Sequence, residues 1–244
     1  SDNPNVSKHY KSNLLTLSKN SMERLLYGNW SYDSDPATLM DADSITDYFA
    51  PTHITKGTDK YMTIDVARKG KDKTVWRIWE GWVCTQRYEL AKGPLTEVVR
   101  LSKIYQQKHN VSKSNTIADE DGVGGGVVDF LGCKGFVNNS TPLKEMIDNK
   151  MVTPNYTNLK SQCSIRMANK VQSREVGEIQ DNQSVIDLVS EEMEQVKMKD
   201  IDKDGKAAII PKDIMKEKVG RSPDDWDSIM MRYYYALSVE AFTF

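Results

Sequence analysis

The chain has 244 residues, and its 33 Lys and Arg nearly balance 35 Asp and Glu, for a formal net charge of −2. That length suits one large or two small domains with a real core, and the balanced charge excludes a uniformly basic protein, so any nucleic-acid contact must use a local patch. Cys84, Cys133 and Cys163 are far apart, odd in number and without a CxxC partner or nearby His. This argues against a disulfide framework and a zinc site and for a reducing compartment, and the sequence shows neither a signal peptide nor an apolar run of membrane-spanning length.

Residues 1–50 differ in character from the rest of the chain. Asp2-Asn3-Pro4 signals a turn, after which Tyr10, Leu14, Leu15, Leu17, Met22, Leu25 and Leu26 recur at roughly helical spacing. Gly28 suits a C-cap. Ser31 to Asp47 is polar and acid-rich and reads as irregular. The segment is expected to be an arm or linker from a longer protein, or else a helical cap on the same domain.

Residues 59–90 read as a β-meander. Met62, Ile64 and Val66 alternate with Thr63, Asp65 and Ala67, the period of a strand. Val75–Glu80 and Trp82–Leu90 supply two more strands, with Gly81 at the turn or at a bulge. A helix is predicted with Leu95, Val98, Val99, Leu101, Ile104 and Tyr105 on its apolar face. Next in the chain come a strand over 115–119, a Gly-rich turn, a helix from Val127 to Leu131 and a strand around Gly135–Val137. This order predicts a mixed α/β fold with the first and fourth strands parallel. Helices are expected over 156–171 and 183–198, and a short strand over 207–210. Pro211 opens a helix at N1 with Lys212, Lys216 and Lys218 exposed, and a last helix begins at Pro223.

Asp65 is poorly suited to the middle of a buried strand unless it is paired or bound to a cation. Asp119 ends a strand just before a Gly-rich turn, where α/β sheets gather ligands. A dinucleotide fingerprint there is loose, and no phosphate loop exists in the chain. Asp224 and Asp227, at i and i+3, share an inward face of the last helix, with Asp225 turned off that face as the capping acid. Clustered carboxylates without His or Cys suit hard cations. Arg68, Lys69, Lys71 and Lys73 surround the first carboxylate and are candidate phosphate contacts, or simply a solvated turn. Asp72 among them is an auxiliary ligand or an ion-pair partner. Asp200–Gly205 begins like a calcium-binding loop, but Pro211 stands where that loop needs a bidentate Glu, so a solvated turn is expected.

Three stretches carry a resemblance: Asp65-Val-Ala-Arg-Lys-Gly-Lys-Asp72-Lys-Thr, Ala118-Asp119-Glu-Asp-Gly122-Val-Gly124-Gly-Gly-Val127, and Arg221-Ser-Pro-Asp224-Asp-Trp-Asp227-Ser-Ile-Met-Met-Arg232. Together they resemble the C-terminal nuclease domain of the large terminase subunit of tailed bacteriophages. Asp2 to Trp30 resembles the segment joining that family's ATPase motor to its nuclease. The resemblance implies an RNase H-like (resolvase-like) α/β fold over 51–244, with 1–50 as the linker to an ATPase part that this chain lacks. It implies cleavage of double-stranded DNA concatemers in the host cytoplasm, with a portal protein and a small terminase subunit as partners, no membrane, and a monomeric isolated domain. Two Mg²⁺ or Mn²⁺ ions are expected, bridged by Asp65, with Asp119 completing one shell and Asp227 and Asp224 the other. The rival readings are a Holliday-junction resolvase and a non-catalytic DNA-holding module.

Overall fold

A computed structural model describes residues 35–67, 72–147, 150–200 and 205–240. The helices expected within 10–26, the basic residues Arg68, Lys69 and Lys71, and most of the Asp200–Gly205 turn lie outside the described residues.

Strand β1 (Lys60–Asp65) is central. It pairs antiparallel with β2 (Thr74–Glu80), which pairs antiparallel with β3 (Val83–Leu90). On its other side β1 runs parallel to β4 (Thr116–Asp119), and β4 runs parallel to β5 (Lys134–Phe136). The short strand β8 (Gly177–Glu178) closes the opposite edge, giving the order β5-β4-β1-β2-β3-β8. The expected parallel pairing of the first and fourth strands is present. A separate hairpin joins β6 (Glu145–Ile147) to β7 (Lys150–Val152).

Alternation along β1 divides the core. Met62 and Ile64 face one side, where they meet Trp76, Ile78 and the helices α2 (Leu95–His109) and α3 (Gly124–Leu131) through Val98, Val99, Val127 and Leu131. Thr63 and Asp65 face the other side. There Trp79, Ile117 and Phe136 pack with α1 (Ala42–Tyr48), α4 (Leu159–Gln172), α5 (Gln183–Glu194) and α7 (Asp224–Met230). The result is a mixed sheet between two helical layers. Between α5 and α7 lies α6 (Lys212–Val219), and beyond α7 a 3₁₀ turn leads into α8 (Tyr234–Glu240).

Three local expectations are corrected. Ser31 to Asp47 is not wholly irregular. Asp41 accepts the Ser44 N–H as N-cap of α1, and Ile45 and Tyr48 enter the core, a burial that acid-rich composition conceals. The stretch 207–210 makes only isolated bridges, Tyr156 with Ala207 and Met198 with Ile209. Pro211 is the N-cap of α6 instead of its first residue. Among the described residues no helix is long and apolar enough to cross a membrane.

Candidate active site

Three neighbouring parallel strands end on one side of the sheet. β1 ends at Asp65 and β4 at Asp119; beyond β5, whose Phe136 is the register partner of Asp119, the chain reaches Asn138. Helix α7 packs over the same end and presents Asp224 and Asp227. Asp65, Asp119, Asp224 and Asp227 thus line one cleft of about 250 Å³, together with Asp72, Asp121, Asn138, Lys160 and Lys212. The four carboxylates singled out in the sequence come together from three distant parts of the chain.

Their electrostatics are unequal. Asp65 is 3% exposed. Burial, then the neighbouring Asp227, Asp224 and Asp119, push its carboxyl well above the usual range, with Lys212 opposing. Burial also raises Asp119 and Asp224. Asp227 goes the other way. Although burial opposes its ionisation, Lys160 and Lys212 hold it at about 2, with Lys160 Nζ 2.6 Å from Oδ1 and Lys212 Nζ 2.7 Å from Oδ2. Lys212, expected as a solvated lysine on α6, keeps its side chain 38% exposed but directs its charge to the cleft, since it also lies 3.9 Å from Asp224.

Further contacts fix the carboxylates. Asn138 Nδ2 donates to Asp119 Oδ1 at 3.2 Å and to Asp121 Oδ2 at 2.7 Å, and the Asp121 N–H donates to Asp119 at 3.0 Å. The Gly-rich turn has a steric reason. Gly122 has φ +72°, and a Cβ on Gly124 would lie 1.7 Å from the Asp119 carbonyl oxygen. Asp72 pairs with Lys216 at 3.4 Å. Lys73 donates its backbone N–H to Asp224 Oδ2 at 3.0 Å, while its ammonium pairs with Glu89 at 3.1 Å.

Asp225 is corrected. It lies off the face of its neighbours, as expected, but it does not cap the helix; Pro223 is the N-cap, without a side-chain bond. Asp225 is instead 2% exposed and held by two arginines. Arg77 Nη2 reaches Oδ1 at 2.8 Å; Arg87 reaches Oδ1 through Nε at 2.7 Å and Oδ2 through Nη2 at 2.9 Å. Arg77 also donates to Glu178 at 3.0 Å, to the Asp225 carbonyl at 3.1 Å, and to Ser228 Oγ. Against the cost of burial, Arg77 and Arg87 hold Asp225 at about 2.

Sequence reasoning missed Lys160 and Asn138 as cleft residues, and Arg77 and Arg87 as partners of α7. Arg77 carried a usable signal, since a charge inside the apolar run Val75–Trp79 is as anomalous as Asp65 in β1. The other three carried none, because a helix lysine, a loop asparagine and an arginine in a half-buried strand are all ordinarily solvated.

Among the described residues, no group of three or more His, Cys, Asp or Glu is already arranged to hold a metal ion. The donor chemistry nevertheless suits a hard cation. All the acids in the cleft are carboxylates, the buried Asp65 is disfavoured as an anion by its neighbours, and ammonium groups stand where positive charge is needed.

Over 80% of its length, the chain matches 98% of a structure of gp2c of the large terminase subunit from bacteriophage Sf6 with calcium, at a TM-score of 0.67 and 14% identity. The fold is that of a large-terminase nuclease domain. A structure of the Sf6 nuclease domain with manganese and β-thujaplicinol matches at a TM-score of 0.64 and 14% identity, over 80% of this chain and 97% of that one. The large-terminase nuclease of thermophilic phage G20c with magnesium matches at 0.51 and 13%, over 82% and 97%. No family model matches the sequence, and no curated protein is similar to it. The mixed sheet with helices on both faces is thus the RNase H-like arrangement expected from the sequence.

Proposed function

We propose that the chain is a metal-dependent endonuclease that cuts double-stranded DNA concatemers during phage genome packaging. The observation that carries this reading is the convergence of Asp65, Asp119, Asp224 and Asp227 on one cleft, at the carboxyl ends of parallel strands in a terminase nuclease fold. These four are the residues that would hold Mg²⁺ or Mn²⁺, two ions on this reading. Bound there, the metal supplies an activated water and stabilises the leaving 3′ oxygen. Asn138 and the Asp121 N–H orient Asp119. Lys160 and Lys212 neutralise Asp227 and, once released, stand ready for a DNA phosphate. Ala67 and Asp72 line the cleft, and Arg68, Lys69, Lys71 and Lys73, which lie next to them in the sequence, are the proposed backbone contacts, which hold DNA without reading its sequence.

Within a packaging machine the chain would act beside a portal protein and a small terminase subunit in the host cytoplasm, with residues 1–50 leading from an ATPase part. The double occupation of Asp227 by lysines favours one alternative, a non-catalytic DNA-holding module. Plasmid nicking with Mn²⁺ separates the two. The wild-type chain should nick, and Asp65→Asn should lose about 10³-fold in rate, the equivalent of several kcal/mol of lost charge stabilisation. Undiminished cleavage by that variant overturns the assignment of the acids; a wild-type chain that binds DNA without cutting it supports the holding module.

A further inference from the structure

We propose that Arg87, acting with Arg77 through Asp225, is a positioning residue that sets the placement of Asp224 and Asp227 relative to Asp65. This inference rests on the nuclease reading of the cleft. Three acids share the first turn of α7, and only the middle one is turned away and fully paired with arginines. Arg77 sits in β2 opposite Thr63 of β1, two residues before Asp65, so its grip on Asp225 ties α7 to the strand that carries Asp65. Arg87, in β3 opposite Arg77, grips both carboxylate oxygens of Asp225 with the planar fork that only arginine has.

A second chain of contacts leads back to the cleft. Arg87 Nη2 donates to Glu89 at 2.8 Å, Glu89 pairs with Lys73 at 3.1 Å, and the Lys73 N–H donates to Asp224 at 3.0 Å. Arg87 therefore reaches Asp224 from two sides, along α7 and through the start of β2, without lining the cleft itself. A side chain that is 5% exposed and bonded to two acids has little freedom, and neither does the buried Asp225 it holds.

The sign of the effect on cation binding identifies this role. By charge alone, removing an arginine near a cation site tightens cation binding. By positioning, it weakens binding, because the carboxylates no longer converge. Mn²⁺ affinity of the full chain, read by calorimetry beside a thermal melt, should fall about tenfold in Arg87→Gln. Arg87→Lys keeps the charge but loses the fork, and should show a smaller loss in affinity and in kcat, with KM for DNA nearly unchanged. Tighter or equal Mn²⁺ binding in Arg87→Gln overturns the proposal; should that variant fail to fold, wild-type affinity and kcat in Arg87→Lys overturn it. A wild-type chain that binds no Mn²⁺ overturns the nuclease reading and the clamp with it, whereas wild-type binding with unaffected variants removes the clamp alone.

Discussion

Asp225 and Asp227 are two residues apart on one helical turn, equally buried, yet they belong to opposite kinds of environment. Asp225 sits against Arg77 and Arg87 in a network of fixed hydrogen bonds and does not line the cleft. Asp227 lines the cleft with Asp65, Asp119 and Asp224 and is balanced by two lysine ammonium groups on flexible stems. Burial of a carboxylate does not by itself mark function. The partners decide: a rigid arginine fork makes a structural joint, whereas lysines facing a surplus of acids leave a site that a hard cation can take over.

That contrast predicts opposite responses to mutation. Arg77→Met should be the most damaging change. It leaves Asp225 and Glu178 buried with a partner lost, an effect of about 3–5 kcal/mol, visible as a large drop in melting temperature. Removing charge on the other side should do the reverse. Asp65→Asn should lose about 10³-fold in cleavage rate but relieves repulsion among buried acids, so its melting temperature in the absence of metal should equal or exceed that of the wild type. If Asp65→Asn melts as low as Arg77→Met, the two regions are not different in kind.

Metal sharpens the comparison next. Mn²⁺ at about 100 times its dissociation constant should stabilise the wild-type chain by about 2.7 kcal/mol. Asp65→Asn should show almost none of that shift, and a chelator should erase it in the wild type. An equal shift in both proteins places the ion elsewhere. Asn138→Ala comes after this in size. Asp119 then keeps the Asp121 N–H but loses the amide, which should cost about tenfold in Mn²⁺ affinity or rate. Measured Mn²⁺ titrations of Asn138→Ala with unchanged affinity and unchanged rate would remove Asn138 from the site.

The same contrast explains what was legible in the sequence. The meander, the parallel β1–β4 pair and the acids Asp65, Asp119, Asp224 and Asp227 could be read locally, because strand period, a Gly-rich turn and an i, i+3 spacing all lie within a few residues. Lys160 and Lys212 could not, since Lys160 meets Asp227 across 67 residues of chain and both look like ordinary surface lysines of a helix. Asp225 was misread because a first-turn acid normally serves the helix dipole. Its actual partners, Arg77 and Arg87, lie in strands 148 and 138 residues away. Helix α1 was missed because its acid-rich composition hides the two core residues, Ile45 and Tyr48, that anchor it.

The smallest expected effect tests whether that N-terminal helix belongs with the structural region or with the cleft. Asp41 caps α1 through the Ser44 N–H at 2.6 Å, and Gln172 of α4 donates to its other oxygen at 2.6 Å. Partial burial works against its ionisation, but the bonds from Ser44 and Gln172 outweigh it and depress its carboxyl below the ordinary value. A depressed acid contributes stability that is present above the unfolded pKa, near pH 4, and lost as the pH falls through the folded one. Asp41→Ala should therefore cost about 1 kcal/mol at neutral pH, with the difference from wild type shrinking below about pH 4, and cleavage per folded molecule should be unchanged. Equilibrium denaturation at pH 7 and pH 3 measures the first part and plasmid nicking the second. A loss of cleavage in a folded Asp41→Ala chain would show that the packing of α1 on α4 reaches Lys160 at the other end of that helix, and that the division between a rigid frame and a metal-ready cleft is drawn in the wrong place.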